Sequence, residues 1–220
     1  MQIQPYLFFE GRCQEAIDFY RPGHRPLCRG VTSPPRPSRS GGLLRIRARH
    51  SGTLEGKNEL MTIKVGDTIP SMKLMVATAD GPKEISTDEI FKGKKVVLFA
   101  VPGAFTPTCS AKHLPGFVQN ADALKAKGVD TIACIAVNDV FVMGAWGKDQ
   151  GTDDKVTMLA DGAAQFAKAI GLELDLNARG MGWRSQRYAL VAEDGKVTHL
   201  GVEAPGGFEV SKAEAILAAL

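Results

Sequence analysis

The sequence lacks the residue patterns of metal centres, disulfide scaffolds and membrane spans. It has only four cysteines, Cys13, Cys28, Cys109 and Cys134, and none of them form a C-x-x-C pair or a zinc-like set. No apolar run approaches the ~20 residues that a membrane-spanning helix needs. No glycine-rich phosphate loop is present. These absences favour a protein of a reducing compartment, which we expect to be the cytoplasm, with no metal, no cofactor and no membrane partner.

Acidic residues are missing from a long stretch near the N-terminus. Residues 1–60 contain 10 Lys and Arg against 5 Asp and Glu, whereas residues 61–220 contain 17 against 19. The stretch 21–50 has no acidic residue at all. Because such a segment cannot bury enough apolar surface to offset the entropy of ordering, we expect residues 21–60 to be disordered or a linker. The net charge of +3 therefore says little about partners, and we expect no nucleic-acid binding.

Residues 1–20 are more regular than the stretch that follows them. An apolar run, Tyr6–Phe9, precedes a short amphipathic stretch. This resembles the opening strand and helix of glyoxalase-like proteins, but the resemblance ends abruptly. We therefore predict that residues 1–60 are an extension outside the enzyme, with Met61 as a sensible true start. A transit peptide and a functional tail are the alternative interpretations.

Strand and helix patterns alternate from residue 61 onward. Val96–Val101 and Thr131–Val137 are continuous apolar runs, typical of strands buried on both faces. Between them, Thr106 is suited to cap a helix with apolar residues at helical spacing. Pro115 lies inside this helix, so we expect a kink there. A strand, a helix and a second strand predict a parallel pair.

The C-terminal part predicts an antiparallel hairpin and a final helix. Two strand patterns, Tyr188–Ala192 and Lys196–Val202, flank the turn signal Glu-Asp-Gly. Ser211 and Glu214 have the spacing of a capping box, which predicts that Ser211 caps the last helix. Alternation that ends in a hairpin and a helix predicts an α/β domain over 61–220, with a central mixed sheet flanked by helices.

The position of Cys109 distinguishes it from the other cysteines. With Thr106 as the N-cap, Cys109 is the third helical residue and closely follows a buried strand, where open α/β sheets place their sites. The unpaired amides and the dipole at a helix start stabilise a thiolate over a thiol. This favours a reactive cysteine, and packing under the sheet is the alternative role.

A sequence motif around Cys109 identifies a family. VPGAFTPTC, residues 101–109, resembles the peroxiredoxin signature Pro-x-x-x-Thr-x-x-Cys, and its form PGAFTPTCS is similar to the type II (plant-type, peroxiredoxin-5-like) subfamily. The resemblance runs over residues 62–220 and implies a thioredoxin-like fold. It also implies a thiol peroxidase of antioxidant defence that reduces hydrogen peroxide and alkyl hydroperoxides. Four further blocks match the subfamily: KHLPGF (112–117), VNDVFVMGAWG (137–147), GLELDL (171–176) and RSQRYAL (184–190).

The resemblance implies a role for each of four residues. Cys109 is then the peroxidatic nucleophile, which becomes a sulfenic acid. Thr106 hydrogen-bonds the peroxide, Pro102 shields the thiolate from water, and Arg187 completes the pocket. An arginine suits this place because it stays charged and presents several donors, although a structural ion pair is its alternative role.

Three other residues compete for parts of this site. Arg179 and Arg184 are the nearest competitors of Arg187. His113 follows Cys109 by four residues and has the chemistry of a base, but the resemblance assigns it no such role. We expect His113 at the surface or behind the residues that touch the thiol.

The reductant is open at this stage. Cys134 lies 25 positions after Cys109, which matches the second cysteine of plant-type II enzymes and implies a resolving role. Its place in an apolar strand favours an inert buried thiol instead. The other route is attack by glutathione with glutaredoxin, or by thioredoxin. The family also implies a homodimer, and Trp146, Phe141 and Met143 are candidates for core or dimer contacts.

Two other functions remain as alternatives. A thiol–disulfide oxidoreductase of the thioredoxin or glutaredoxin type needs a C-x-x-C pair, whereas Thr106 holds its first position here. A non-enzymatic redox sensor on the same fold is less compatible with Cys109, Thr106 and Arg187 together. The peroxidase would need only glutathione or a thiol protein as its co-substrate.

Overall fold

Nine strands form the framework of the part of the chain that the structure describes. The computed structural model describes residues 62–78 and 80–220. The predictions for residues 1–60 lie outside the described residues. The strands are β1 (Lys73–Thr78), β2 (Gly81–Ser86), β3 (Lys95–Val101), β4 (Thr131–Ala136), β5 (Thr157–Ala160), β6 (Glu173–Leu176), β7 (Gly182–Ser185), β8 (Tyr188–Glu193) and β9 (Lys196–Val202).

Seven of these strands form one mixed sheet in the order β2-β1-β5-β4-β3-β8-β9. The three central neighbours β5, β4 and β3 are parallel, and the outer strands pair antiparallel to them or to each other. The apolar runs that predicted doubly buried strands are β3 and β4. The predicted thioredoxin-like α/β fold with a central mixed sheet is confirmed. β6 and β7 form a separate hairpin.

Short helices flank the sheet. None of the described helices is long and apolar enough to cross a bilayer. The longest is α4, with 10 residues. The described helices are α1 (Thr87–Phe91), a π-helical segment (Cys109–His113), α2 (Leu114–Gln119), α3 (Ala121–Ala126), α4 (Val140–Asp149), α5 (Gln165–Ala169), a 3-10 helix (Asn177–Arg179) and α6 (Ala213–Ala219).

The central strand β3 separates two apolar layers. Successive side chains of a strand point to opposite faces, so Phe99 belongs to one layer and Leu98 to the other. The layer of Phe99 also contains Cys109, Cys134 and Trp146, all fully buried. The sheet therefore places both described cysteines in the same apolar layer.

The prediction that Ser211 caps the last helix is wrong. The N-cap of α6 is Lys212, and no side-chain cap hydrogen bond is present there. The Ser211 hydroxyl donates instead to a carboxylate oxygen of Glu203 at 2.8 Å. A charged acceptor makes a stronger hydrogen bond than the capping contact would, which explains the difference.

Candidate active site

The loop after β3 is held at the carboxyl edge of the sheet. Asn138, close to the end of β4, accepts a hydrogen bond from the Ala104 N–H at 3.0 Å. Phe105 has a φ of +58°, in the left-handed region that non-glycine residues seldom adopt. A Cβ on Gly103 would lie 3.3 Å from the Thr106 methyl group, so glycine permits this close packing. The loop thereby leads from β3 into the helix that contains Cys109.

Cys109 begins a wide helical turn that ends just before Pro115. Helical residues start at Pro107, so Cys109 is the third, in agreement with the sequence. The Leu114 N–H donates to the Cys109 carbonyl, one residue further back than in an α-helix. Pro115 lacks an N–H, and its ring disfavours a regular α-helical turn before it. The π-helical segment therefore occurs where the sequence predicts a kink.

Arg187 brings its guanidinium to the buried thiol. Its Nη2 lies 3.5 Å from the Cys109 Sγ, within hydrogen-bond distance for sulfur. Arg187 directly precedes β8, which pairs with β3, and Cys109 lies in the helix that follows β3. Arg184, a competitor from the sequence, donates instead to two backbone carbonyls. Arg187 is thus the arginine that the structure brings to Cys109.

His113 lies directly behind Arg187. It is fully buried, and its Nδ1 lies 2.9 Å from Arg187 Nη1. Because a guanidinium only donates, Nδ1 accepts and the ring proton is on Nε2, which donates to the Ser211 carbonyl at 2.9 Å. Burial, with the charge of Arg187 as a second cause, lowers the pKa of His113 to about 3. The imidazole is therefore neutral and orients the guanidinium.

The structure decides between the two places expected for His113. It lies behind the residues that touch the thiol and not at the surface. Cys109, His113 and Phe117 follow one another at four-residue spacing, which places them on one helix face. The His113 ring packs 5.0 Å from Phe99 and 5.7 Å from Phe117. A histidine on the apolar face of a helix, one turn from Cys109, favours this buried place.

Thr106 and Pro102 are partly buried residues of the segment between β3 and Cys109. The Thr106 hydroxyl donates to the Gly103 carbonyl at 2.8 Å. Its hydrogen is thereby used, which leaves the lone pairs of Oγ1 as acceptors. The Thr106 carbonyl accepts from the Ser110 N–H at 3.0 Å, as the residue before a helix does. Pro102 directly follows β3 and is half-buried.

Cys134 lies in the middle of β4. The guanidinium of Arg187 contacts Cys109 and His113 instead. Cys134 is fully buried and lies in register with Phe99 of β3 and Met158 of β5. Burial raises the pKa of the Cys134 thiol well above its usual value, and the neighbouring Cys109 adds to this. Cys134 is accordingly a neutral thiol inside the sheet.

Helix α4 holds the residue next to Cys109. The Trp146 indole donates to the Ser110 hydroxyl at 3.0 Å, and Trp146 is fully buried. Met143 is buried as well, whereas Phe141 is 72% exposed. Of the three residues considered for core or dimer contacts, Trp146 and Met143 are core.

The fold and the site define a class. A buried thiol at a helix start, next to an arginine and beside a mixed sheet, is the arrangement of a thiol-based redox protein. The family model that describes Redoxin matches residues 64–217.

Known proteins narrow this class further. Peroxiredoxin-2E, chloroplastic, of Arabidopsis thaliana is 51% identical over 164 residues, 72% of this chain and 70% of that protein. Peroxiredoxin-2C of Oryza sativa subsp. japonica is 51% identical over 159 residues, 72% of this chain and 98% of that protein. The structure of reduced Prx3 in complex with H2O2 from Vibrio vulnificus is 57% identical, with a TM-score of 0.69, and covers 72% of this chain and 99% of that chain. The chain belongs to the peroxiredoxins, which are thiol peroxidases of antioxidant defence.

Proposed function

We propose that Cys109 is the peroxidatic nucleophile and that it reduces hydrogen peroxide and alkyl hydroperoxides. The single observation that carries this assignment is the 3.5 Å contact between Arg187 Nη2 and the Cys109 Sγ in a buried setting. The similar Prx3 of Vibrio vulnificus has been crystallised with H2O2, which supports hydrogen peroxide as one substrate.

The proposed reaction is an in-line displacement on the peroxide. The Cys109 thiolate attacks one oxygen, so an S–O bond forms and the O–O bond breaks. The departing oxygen leaves as hydroxide or alkoxide and takes up a proton to become water or an alcohol. Cys109 is left as a sulfenic acid, oxidised by two electrons, while the peroxide is reduced by two.

The neighbours of Cys109 stabilise this displacement. Arg187 donates to the thiolate and to the peroxide oxygens on which negative charge develops, and such donors act strongly where water is excluded. Thr106 Oγ1, whose own hydrogen goes to Gly103, accepts the hydrogen bond of the peroxide O–H. Pro102, half-buried at the end of β3, shields the thiolate from water.

We propose that an external thiol returns the enzyme to its starting state. Glutathione attacks the sulfenic acid to form a mixed disulfide and water, and a second thiol, from glutathione or glutaredoxin, releases the reduced Cys109. The burial of Cys134 in a strand with partners on both sides supports this route over a resolving role for Cys134. Thioredoxin as the reductant is the alternative.

The molecular context is part of the same proposal. The enzyme comprises residues 61–220, and residues 1–60 are an extension without a catalytic part. It works as a homodimer, for which the exposed Phe105 and Phe141 supply apolar surface near the active-site loop. It acts in the cytoplasm, where thiols are kept reduced.

A comparison of two serine variants tests the assignment. Cys109→Ser is expected to abolish consumption of hydrogen peroxide, measured with glutathione, glutaredoxin and a coupled reductase. Cys134→Ser, the matched control, is expected to keep the turnover of the wild type because the proposed cycle does not use that thiol. Retained turnover in Cys109→Ser would refute the nucleophile, and lost turnover in Cys134→Ser would establish Cys134 as the resolving thiol.

A further inference from the structure

The side chain of Glu203 closes a loop on the C-terminal side of the site. Its Oε1 accepts hydrogen bonds from the Glu209 N–H at 2.7 Å and from the Ser211 N–H and hydroxyl, both at 2.8 Å. Burial acts to raise the pKa of the Glu203 carboxyl, but the hydrogen bonds from Ser211 and Glu209 outweigh it and lower the pKa. A charged carboxylate therefore joins the two ends of loop 203–211.

Loop 203–211 delivers two groups to the site. The Ser211 carbonyl accepts the hydrogen bond of His113 Nε2 at 2.9 Å. The ring of Phe208 lies 5.1 Å from the His113 ring and 5.8 Å from the Arg187 guanidinium carbon. In addition, the Glu203 N–H donates to the Arg187 carbonyl at 2.9 Å. Glu203 thus contacts Arg187 through its backbone and reaches the guanidinium through the loop.

We propose that Glu203 is a positioning residue for the peroxide reaction, because it holds the Arg187 guanidinium against Cys109 through Ser211 and His113. This inference rests on the role proposed above for Arg187. None of the residues between Glu203 and Cys109 needs to change its charge for the effect.

The direction of each hydrogen bond explains how a carboxylate can act over this distance. Arg187 can only donate, so His113 must present a lone pair at Nδ1 and keep its proton at Nε2. That proton needs an acceptor, since a buried unsatisfied donor is costly, and the Ser211 carbonyl is this acceptor. If the loop moves, the imidazole is free to flip or to change tautomer, and an N–H would then face the guanidinium. The guanidinium would lose the partner that aims it at the thiolate.

Graded variants test this inference with a matched control. Glu203→Ala removes the acceptor, and Glu203→Gln keeps a neutral acceptor. Glu209→Gln removes a carboxylate of the same loop whose side chain pairs with Lys212 at the surface. The rate constant of Cys109 with hydrogen peroxide is measured by stopped flow, and the rate with iodoacetamide is measured in parallel. Alkylation needs the thiolate but not donors aimed at a peroxide.

The ratio of the peroxide rate constant to the iodoacetamide rate constant is expected to fall about tenfold in Glu203→Ala. A misplaced donor should cost less than the factor of roughly 10²–10³ in rate that is lost when a donor is removed. The ratio falls less in Glu203→Gln and stays unchanged in Glu209→Gln. A general loosening of the loop would change both rates together and leave the ratio, so an unchanged ratio overturns the inference. If Glu203→Ala does not fold, the ratio in Glu203→Gln decides.

The His113 ring provides a direct spectroscopic readout. In protein with ¹⁵N-labelled histidine, the wild type is expected to show a neutral His113 protonated at Nε2 alone, and Glu203→Ala is expected to show averaging between tautomers. An identical His113 spectrum in both proteins overturns the inference. Arg187→Gln separates this failure from a failure of the proposed site: if that variant keeps the peroxide rate, the role of Arg187 is wrong, and the inference falls with it.

Discussion

Cys109 and Cys134 have the same burial and different surroundings. Both are fully buried and belong to the same apolar layer. Cys109 lies at a helix start, 3.5 Å from the guanidinium of Arg187. Cys134 lies in the middle of β4, where burial raises the pKa of its thiol. The two cysteines therefore differ in the polar groups around them and not in their exposure.

The comparison shows that burial alone decides neither reactivity nor inertness of a thiol. At Cys134, desolvation raises the pKa of the thiol. At Cys109, the guanidinium of Arg187 donates to the sulfur, and His113 contacts Arg187 from behind. The predictions below remove or probe these differences one at a time.

The largest effect is expected from Arg187→Gln. Loss of the guanidinium removes the proposed donor to the thiolate and to the peroxide, so the rate constant with hydrogen peroxide should fall on the order of 10²–10³. Stopped-flow oxidation of the reduced protein measures it. Arg179→Gln, which removes an arginine of the 3-10 helix, should react at the rate of the wild type. A loss below about threefold in Arg187→Gln contradicts the comparison.

A large difference is also expected in alkylation of the two thiols of the native protein. Cys109 should react with iodoacetamide about 100-fold faster at pH 7 than Cys134, which needs local opening of β4 before it can react. Peptide mapping after timed quenching assigns the label to each cysteine. In denaturant the two rates should converge, which is the internal control. Comparable rates in the native protein would remove the distinction between the two sites.

The buried His113, which lies behind Arg187 at the Cys109 site, should make the free energy of unfolding depend on pH. Its pKa is about 3 in the folded protein, against an ordinary value of 6.5, so the unfolded chain binds more protons between these values. The contribution of His113 to the free energy of unfolding is fully present above pH 6.5. It is lost as the pH falls, by about 2 kcal/mol between pH 7 and 5. Urea unfolding at both pH values measures it.

Substitutions at two histidines separate the contribution of His113 to this pH dependence from the titration of carboxylates. His199→Gln alters a half-buried histidine of β9 and is measured as the comparison variant. His113→Asn should flatten the slope, since no group at that position then titrates. A slope equally steep in His113→Asn would assign the pH dependence to other groups.

The smallest effect concerns the hydrogen bond between Trp146 and Ser110, the residue next to Cys109. Trp146→Phe removes the hydrogen bond to the Ser110 hydroxyl, and this hydrogen bond should contribute about 1 kcal/mol to the free energy of unfolding. Combination with Ser110→Ala in a double-mutant cycle separates this hydrogen bond from the change in packing. Additive effects of the two substitutions would show that the contact contributes nothing of its own.

The features that sequence predicted are those with local signals. The apolar runs indicated β3 and β4, and Thr106 indicated the helix start that carries Cys109. The mixed sheet followed from the alternation of these patterns. Arg187 came from the family motif, because nothing in its own neighbourhood distinguishes it from Arg184.

The features that sequence could not predict depend on contacts between distant segments. His113 contacts Ser211, which lies 98 positions further along the chain. The local pattern around Ser211 is that of a capping box, which predicts a helix cap. In the structure, the Ser211 hydroxyl donates to the carboxylate of Glu203, a stronger acceptor. Nothing in the sequence spacing indicates this contact. The contact of Asn138 with the loop after β3 is long-range in the same way.

The most direct test of the account is peptide mass spectrometry of the reduced protein after one equivalent of hydrogen peroxide and then one equivalent of glutathione. The account predicts that Cys109 carries a glutathione adduct while Cys134 remains a thiol. A glutathione adduct on Cys134, with Cys109 unmodified, would contradict the central claim that the surroundings of Cys109 make it the reactive thiol.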